Sequence, residues 1–526
     1  MARTGIMCSV LQCSLLLHLG SSLRLGTEAP ARDQASSTPP PTWPLANRSK
    51  RGQRGFAKLE DDSSCWDSLW MDTPYRLTQR MCRKSRAFLG DLKAMQGLLT
   101  KLHTGKCINA VTIGGSVTVG RCLVCTGSMI PGGQAAAWPA QFGRWLNKHF
   151  PCGAPGGHKV HNLAVSSVGS DFWVDKVAAW RQDHHHVLWQ ADMVIVETAT
   201  NDVNELQSAQ SVKGMDSALK IQTFTEILAR ELKAAPRGPL IVWAAFAWRN
   251  FGPGSAPPRH TDAALSHLPV LQYYNIEQVS LLNAFLPFTT DVKNKWVKGT
   301  YFSDCCHPTP LGHQMCAQIL GNLLLEESNN MNAEPLQQRD WFEPENRDSD
   351  TALQPLFVSS NLAKKYDSGA TRYYKLWNEA EMHPLVLSTT GFTFGEDVPG
   401  KPGLLGYKLG ATLLLGIPVQ ASQGQADVLV NLGLLKSYEH MGMVTVSSMV
   451  DSRKCAESHH DLRAQPESAA IDCLWNVHAS VHQTESFSVG LNGILSGCMV
   501  LRFEVREASP PRAENKIKLL GLTVTM

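Results

Sequence analysis

INAVTIGGSVTVG, residues 108–120, joins an apolar run to two glycines and a serine. The apolar and β-branched residues predict a strand, and Gly114 and Gly115 permit a tight turn with a close backbone approach. Ser116 follows that turn, and the residues after it can begin a helix. In a parallel sheet Ser116 then lies at the carboxyl end of its strand, where open α/β sheets bind ligands. Gly-Gly-Ser is also a common loop tripeptide, so partners elsewhere must decide its role.

Short apolar runs alternate with helical stretches on both sides of this segment. The clearest strand is ADMVIVETA (191–199), which is apolar almost throughout, as expected of a strand buried on both faces. KVHNLAV (159–165) and PLIVWAAFAW (239–248) predict further strands. Helical spacing predicts helices over about 81–102, 136–150, 171–189 and 216–235. The alternation predicts βαβ units, a parallel sheet and a three-layer αβα domain over residues 65–326.

The pattern changes after that domain. Residues 327–379 turn polar and acidic, which predicts a linker, and residues 380–526 contain short strands with turn breaks, which predict a β-sandwich-like accessory domain. CMVLRFEV (498–505) alternates apolar side chains with Arg502 and Glu504, as a half-buried strand does. The predicted strands are 411–419, 426–435, 442–450, 498–505 and 516–526. Aromatic residues of this region could stack on sugars or belong to the core: Trp377, Tyr438 and Trp475.

The N-terminus predicts export. Residues 1–30 contain a basic residue and then an apolar run of signal-peptide length, so they form a signal peptide or a signal anchor. Residues 31–64 are a low-complexity linker or pro-segment with a glycosylation sequon at 47–49 and a basic, furin-type site at 48–51. We therefore expect a secreted or endomembrane-lumenal glycoprotein, with no integral membrane association beyond that possible anchor.

The net charge bears on the partners of the protein, and the cysteine content agrees with an oxidising compartment. The formal net charge of +3 on 526 residues gives no reason to expect a nucleic-acid partner. Two of the 14 cysteines lie in the signal segment, and the even remainder predicts disulfides. Cys122-x-x-Cys125 could be redox-active, a metal half-site or structural, and disulfides are favoured. The vicinal pair Cys305-Cys306 suggests a further bridge to Cys122, Cys125 or Cys152.

Three more motifs offer partners to Ser116. Gly169 lies in a loop after a predicted strand, where its N–H could reach a substrate oxygen. Asn201 follows the strand 191–199, where its amide could donate to an oxyanion, although Asn-Asp is also an ordinary turn pair. Asp304 and His307 share one helical-turn spacing, so the carboxylate can orient the imidazole that accepts a serine proton.

The helix behind this last motif has a clear start. Thr309 is a candidate N-cap with Pro310 at the first helical position. Leu311, Met315, Ile319 and Leu323 then repeat every four residues along one face.

Taken together, the order Gly-x-Ser, Gly, Asn and Asp-x-x-His resembles the SGNH hydrolases, also called GDSL-type esterases, over residues 105–326. The resemblance implies a flavodoxin-like αβα fold and a serine esterase with no cofactor and no metal. It implies Ser116 as nucleophile, His307 as general base and Asp304 as the orienting carboxylate. The implied oxyanion hole contains the Ser116 and Gly169 N–H groups and the Asn201 amide. Gly115 departs from the Asp of the family's name motif, which leaves the subfamily open.

The implied reaction is ester hydrolysis through an acyl-enzyme, on an acylated small-molecule or carbohydrate substrate. Two alternatives stay open: an O-acyltransferase on the same scaffold, and a non-catalytic carbohydrate-binding protein. The run Asp183-His184-His185-His186 looks like a metal site, but consecutive residues of a regular element cannot all face one ion. A solvated helix end is the preferred interpretation of that run.

Overall fold

The structure is a computed structural model, and it describes residues 77–121, 129–130, 132–181, 183–207, 217–246, 263–285, 301–303, 306–333, 355–358, 366, 370–398, 401–457, 467–475, 480–508 and 514–526. The predicted signal segment, the sequon, the basic site, the Cys122–Cys125 motif and Asp304-Cys305 lie outside these residues. The predicted domain boundaries stay predictions. Within the described ranges, no helix is both long and apolar enough to span a bilayer.

The first half of the described chain alternates helices with strands. Its sheet contains β1 (Arg86–Phe88), β2 (Asn109–Gly114), β3 (Lys159–Asn162), β4 (Met193–Glu197), β5 (Leu240–Ala245) and β6 (Glu277–Ser280). The helices are α1 (Gln79–Ser85), α2 (Leu92–His103), α3 (Ser116–Val119), α4 (Trp138–His149), α5 (Ser170–Trp180), α6 (Ala199–Gln207), α7 (Ser217–Lys233), α8 (Ala263–Tyr273), α9 (Leu281–Phe285) and α10 (Pro310–Ala333).

The strand order is β1-β6-β5-β4-β2-β3. Neighbours from β2 to β6 pair in parallel, and the first parallel strand lies inside the sheet with its successors on either side, which is the flavodoxin-like order. The predicted αβα fold is confirmed. It gains one feature, because β1 pairs with β6 antiparallel at the sheet edge.

The edge strand β1 corrects the helix predicted over 81–102. The structure instead has α1, then β1, then α2 beginning at Leu92. Arg86 in β1 makes a 2.8 Å ion pair with Glu327 and lies 3.7 Å from Glu277. Gly90 lies so close to β6 that a Cβ there would fall 2.1 Å from the Glu277 nitrogen. These partners are far away in sequence, so local periodicity could not reveal the break.

Two apolar cores enclose the sheet. Met193 and Ile195 of β4 face one core with α2, α4 and α10, whereas Val194 and Val196 face the other with α5, α7 and α8. Both pairs are buried, which confirms that β4 is covered on both faces as its continuous apolar sequence predicts.

Helix α10 begins as its sequence predicts. The Gly312 N–H donates to Thr309 Oγ1 at 3.2 Å, which is the predicted N-cap, and Pro310 is the first helical residue. Met315, Ile319 and Leu323 of the predicted stripe are buried in the core. The cap fixes the point at which the preceding segment, which carries His307, meets the helix.

The second half forms two antiparallel sheets. One has the order β15-β12-β17-β10-β9 with β7 also on β17, and the other has the order β14-β13-β16-β11-β8. The elements are β7 (Thr371–Tyr374), α11 (Glu379–Met382), β8 (Val386–Thr390), β9 (Phe392–Val398), β10 (Lys401–Gly406), β11 (Thr412–Gln420), β12 (Asp427–Lys436), β13 (Met443–Asp451), β14 (Glu467–Asp472), β15 (Val481–Gly490), β16 (Ser496–Arg506) and β17 (Ile517–Thr525).

The interior of this β-rich part follows the alternation of its sequence. Met499, Leu501, Phe503 and Val505 are fully buried in one core, whereas Arg502 and Glu504 pair with each other on the opposite face. The predicted β-sandwich-like fold is therefore confirmed.

The sandwich packs against helix α5 through polar groups. Asn431 Nδ2 on β12 donates to Asp175 Oδ1 at 2.6 Å and to the Tyr366 hydroxyl at 2.7 Å. Burial raises the pKa of Asp175 to about 7. Leu429 of β12 also belongs to the apolar core that contains Phe172 and Trp173 of α5, so polar and apolar contacts together hold the sandwich on this helix.

Candidate active site

The turn between β2 and α3 places Ser116 at the carboxyl end of β2. We call residues 114–121 the Ser116 turn. The Gly115 N–H donates to the Glu197 carbonyl at 3.1 Å, which ties the turn to the end of β4. A Cβ on Gly114 would fall 2.5 Å from that same carbonyl, so only glycine permits this approach. Ser116 is buried, with 8% of its surface exposed.

His307 reaches Ser116 from the segment before α10. Its Nε2 lies 2.9 Å from Ser116 Oγ, within hydrogen-bond distance across 191 residues of sequence. The His307 carbonyl accepts from the Ser303 N–H at 2.8 Å and from its hydroxyl at 3.0 Å, which closes the loop that carries the imidazole. Nδ1 lies 3.5 Å from Cys306 Sγ. Asp304, the predicted partner of Nδ1, lies outside the described residues.

Gly169 precedes α5 in a loop, residues 165–171, that we call the Gly169 loop. The Val165 N–H continues the pairing of β3 with β2 by donating to the Gly114 carbonyl at 3.0 Å. The loop therefore runs beside the Ser116 turn. A Cβ on Gly169 would fall 2.4 Å from Asp202 Oδ1, so a side chain would displace the loop.

Asn201 lies in the first turn of α6. A Cβ built on Gly115 would fall only 2.0 Å from Asn201 Nδ2, so this amide lies directly against the Ser116 turn. Nδ2 is buried, and no acceptor for it lies among the described residues. A buried donor without an acceptor is costly unless something else uses it, and a developing oxyanion is such an acceptor. Two of the predicted side-chain partners, Asn201 and His307, thus lie at the Ser116 turn.

The same contact explains the departure from the name motif. That motif has Asp where this chain has Gly115. Any Cβ at this position would overlap Asn201 Nδ2 as the structure places it. The glycine and the position of the amide are therefore coupled.

Sequence reasoning missed a buried chain of hydrogen bonds behind the site. Asp202 Oδ1 accepts the Ser170 N–H at 2.7 Å and its hydroxyl at 3.1 Å, and Asp202 Oδ2 lies 2.9 Å from His267 Nε2. Trp243 Nε1–H donates to His267 Nδ1 at 3.0 Å, so Nδ1 is the unprotonated nitrogen and Nε2 carries the hydrogen donated to Asp202. The Asn-Asp dipeptide is the one sequence feature that points to Asp202. The 65-residue separation from His267 follows no motif, so the sequence does not predict their hydrogen bond.

Glu197 is a second residue that sequence reasoning missed. It is fully buried beneath the Ser116 turn, where its carboxyl group accepts from the hydroxyls of Thr118 at 3.1 Å and Thr200 at 3.0 Å. Burial raises the pKa of Glu197 to about 8. The group is therefore largely protonated at neutral pH and supports the turn as a neutral hydrogen-bonding group.

The disulfides change one sequence-based hypothesis. Cys107 pairs with Cys152, and Cys455 pairs with Cys498. The suggested bridge from Cys305 or Cys306 to Cys152 is therefore wrong, because Cys152 is already bonded to a cysteine near the start of β2. The suggested bridges to Cys122 and Cys125 lie outside the described residues.

The histidine run lies at the end of α5 and beyond. His186 Nδ1 accepts the Leu188 N–H at 3.3 Å, and its ring stacks on Trp180 with centroids 4.0 Å apart. His184 and His185 are exposed. His186 thus caps the turn that follows, which is a structural role.

The aromatic candidates of the sandwich divide into two groups. Trp475 is buried against Val481 in a small apolar cluster of its own. Trp377 is 37% exposed, with Lys375 Nζ 5.7 Å from its ring centroid. Tyr438 is half-buried, so Trp377 and Tyr438 are the two of the three candidates that reach solvent.

Comparison with known proteins finds a family that matches the α/β part. Residues 112–315 match the GDSL-like Lipase/Acylhydrolase family. The match covers the α/β part of the chain only, and by it the protein is a carboxylic ester hydrolase. No curated protein matches the chain.

Solved structures add a likeness in fold. One is a two-domain esterase active on acetylated mannans, co-crystallised with mannopentaose. It is 15% identical, covers 84% of this chain and 97% of its own, and has a TM-score of 0.50. A second structure of such a two-domain esterase is 14% identical, covers 84% of this chain and 98% of its own, and has a TM-score of 0.49. The first likeness extends the shared fold beyond the α/β part to most of the chain.

Proposed function

We propose that the protein is a serine esterase that removes acyl groups from an acylated carbohydrate through an acyl-enzyme. Ser116 is the nucleophile, His307 the general base and Asp304 the carboxylate that orients it. The observation that carries the proposal is the 2.9 Å distance between His307 Nε2 and Ser116 Oγ. Nucleophile and base within this distance are the minimum geometry for nucleophilic catalysis by serine.

The first half of the reaction forms the acyl-enzyme. Ser116 Oγ attacks the ester carbonyl while its proton passes to His307 Nε2. Negative charge develops on the carbonyl oxygen, and the Asn201 amide and the main-chain N–H groups of Ser116 and Gly169 donate to it. The tetrahedral intermediate collapses, the carbon–oxygen bond to the alcohol breaks, and His307 returns the proton to the leaving oxygen.

The second half releases the acid. Water takes the place of the alcohol, His307 Nε2 accepts a proton from it, and the resulting attack on the acyl carbonyl uses the same donors. The bond to Ser116 Oγ breaks and the serine recovers its proton. A sugar hydroxyl in place of water would give acyl transfer by the same steps.

Two observations support a carbohydrate ester as substrate. The solved structure with the shared two-part fold is an esterase described as active on acetylated mannans. The sandwich of this chain also exposes Trp377, a side chain suited to stacking on sugar rings. The disulfides Cys107–Cys152 and Cys455–Cys498 favour an oxidising compartment, in agreement with the predicted export.

The test is turnover by the full-length protein of p-nitrophenyl acetate and of a panel of acetylated mannan, xylan and other glycans. We expect Ser116→Ala and His307→Ala each to lower kcat by about 1,000-fold or more, because each removes a group that bonds or moves a proton in every step. Asp304→Asn tests the third member of the triad.

Matched controls are Ser486→Ala and His184→Ala, which change exposed residues of the same types. Both should keep the parent's kcat. Parent turnover no higher than that of Ser116→Ala would contradict the proposed mechanism. Turnover of p-nitrophenyl acetate without release of acetate from any glycan would contradict the proposed substrate class.

A further inference from the structure

Strand β15 is an edge strand of the sandwich in the described part of the chain, with β12 as its one neighbour in the sheet. Main-chain N–H groups of an antiparallel edge strand point alternately toward the neighbour and away from it. Near the start of β15, two N–H groups that point away from β12 donate hydrogen bonds to acceptors in the α/β part. The His482 N–H donates to the Ser167 carbonyl and the Thr484 N–H donates to Asp171 Oδ2, each at 2.8 Å.

These two acceptors flank Gly169, one on each side. Ser167 has φ of +65°, a left-handed conformation that costs a non-glycine residue about 1–2 kcal/mol. Its carbonyl is the one that accepts from His482, so the contact with β15 stabilises the unfavoured backbone. Asp171 lies in the first turn of α5, where a carboxylate is favoured by the helix dipole.

The segment between these acceptors lies against the Ser116 turn. A Cβ on Gly115 would fall 3.3 Å from the Val168 carbonyl oxygen. On the inner side Asp202 Oδ1 accepts the Ser170 N–H at 2.7 Å. Hydrogen bonds thus orient the Gly169 N–H from two sides: the bond of Ser170 to Asp202 within its own domain, and the two bonds from the sandwich.

We propose that the β-sandwich is a positioning element of the active site: through the main-chain N–H groups of His482 and Thr484, β15 orients the Gly169 loop so that the Gly169 N–H meets the oxyanion. This inference rests on the proposed esterase function. It gives the sandwich a role in the rate of every ester, including esters too small to touch a glycan-binding surface.

Thr484 and Asp171 are both buried, so the bond between them is shielded from water. Both ring nitrogens of His482 are buried, and its ring packs edge-to-face on Phe172 with centroids 5.0 Å apart. Burial lowers the pKa of His482 to about 3, so the ring is neutral at working pH. Hydrogen bonds shielded from water are stronger and hold geometry better than exposed ones.

Thr484→Pro removes the N–H that Asp171 accepts and leaves the ladder of β15 with β12 intact, because that N–H points away from β12. The Thr484 hydroxyl has no partner among the described residues, so its loss adds little. Ser488→Pro is the matched control, since Ser488 is exposed and lies four residues further along the same edge. The readouts are kcat and KM for p-nitrophenyl acetate and for an acetylated glycan, with Tm for folding.

We expect Thr484→Pro to lower kcat about 10- to 100-fold for both substrates with KM within about twofold, since a misplaced catalytic donor costs rate rather than binding. Ser488→Pro should keep the parent's kcat. If Thr484→Pro has the kcat of Ser488→Pro, or raises only KM for the glycan, the sandwich is a binding module and the inference fails.

Asp171 provides an independent pair of variants that does not alter β15. Asp171→Ala removes the acceptor and should lower kcat about tenfold, whereas Asp171→Asn retains an oxygen for the Thr484 N–H and should recover most of that loss. This pair decides the matter if Thr484→Pro does not fold. Equal kcat in Asp171→Ala and the parent overturns the inference.

The outcomes also separate this inference from the function on which it rests. If the parent shows no turnover that depends on Ser116, the proposed function fails, and the inference fails with it. If the parent's turnover depends on Ser116 while the Asp171 and Thr484 variants match their controls, only the inference fails.

Discussion

The Ser116 turn and the Gly169 loop follow neighbouring parallel strands and meet at the same edge of the sheet, but they are held in different ways. The Ser116 turn makes short main-chain bonds within its own domain: the Gly115 N–H to the Glu197 carbonyl and the Arg121 N–H to the Ser116 carbonyl. The Gly169 loop depends on Asp202 from another βα unit and on β15, more than 300 residues later in the chain.

This difference shows which parts of a site a short motif can define. A turn held by main-chain bonds inside its own domain needs glycines where the chain passes close to a neighbouring strand, and glycines can be read in a sequence. A loop held by distant donors shows less of this in its sequence, because one of its two acceptors for β15 is a main-chain carbonyl, which every residue has. Variants that disturb one region and spare the other test the comparison.

Among the variants that test this comparison, the largest effect is expected for Asn201→Ala, which removes a proposed oxyanion donor lying against the Ser116 turn. Asn201 Nδ2 has no acceptor among the described residues, so its removal should leave the free energy of unfolding nearly unchanged. The barrier to ester hydrolysis should rise by about 3 to 4 kcal/mol, or a loss in kcat of about 100- to 1,000-fold. Paired kcat and urea-unfolding measurements check this. A large loss of stability with little change in kcat would show that the amide is structural.

Gly115→Ala should have a somewhat smaller effect, acting on the Ser116 turn. The new Cβ falls 2.0 Å from Asn201 Nδ2, and the amide, as the end of a flexible side chain, should rotate away. We expect kcat to fall by about 100-fold because one oxyanion donor is lost. The double variant Gly115→Ala/Asn201→Ala should be no slower than Asn201→Ala alone, since both changes remove the same donor.

Gly97→Ala is the matched control for that substitution. Gly97 lies inside α2, and a Cβ there meets nothing within 4 Å. Replacing a helical glycine by alanine should raise the free energy of unfolding by about 0.5 to 1 kcal/mol without changing kcat. If Gly115→Ala behaves like Gly97→Ala, the close fit of the Ser116 turn does not matter for catalysis.

The smallest effect is a pH dependence that begins beneath the Ser116 turn. The pKa of Glu197 is about 8 in the folded protein and about 4.5 when unfolded, so the folded state binds the extra proton between these values. The free energy of unfolding should therefore fall as pH rises from about 4.5 to about 8. Glu197→Gln should reduce the slope of that fall by about 1 kcal/mol per pH unit, because the amide stays neutral.

Urea unfolding at pH 5 and pH 8 measures this change, with Glu507→Gln as an exposed control. Burial also raises the pKa of Asp175 and of Glu277 to about 7, so part of the slope should remain in the Glu197 variant. An identical slope in Glu197→Gln and the parent would mean that Glu197 is not the group that titrates.

Much of the α/β fold could be predicted from the chain because burial dictates residue type there. Strands β2, β4 and β5 are apolar runs that match their predicted positions, and Thr309 caps α10 as expected. The edge strand β1 could not be predicted, since its pairing with β6 and the ion pairs of Arg86 are distant in sequence. Local periodicity carries no information about such partners.

The site was predicted in the same uneven way. Ser116, Gly169, Asn201 and His307 were named from strand ends and spacing, and the structure brings His307 and Asn201 to the Ser116 turn. The sequence did not predict the hydrogen bonds that link Asp202, His267 and Trp243, nor the neutral carboxyl group of Glu197. Their role follows from burial and hydrogen-bond partners, which a single sequence does not show.

The sequence by itself determined the βα alternation, the alternating sandwich strands and the residue types of the candidate site, because each reflects a local rule of burial, turn geometry or spacing. Only the tertiary structure decided that Gly115 makes room for the Asn201 amide, and that the sandwich donates two main-chain N–H groups to the Gly169 loop. Main-chain donors are the same in every residue except proline, so no pattern of side chains could have revealed that contact.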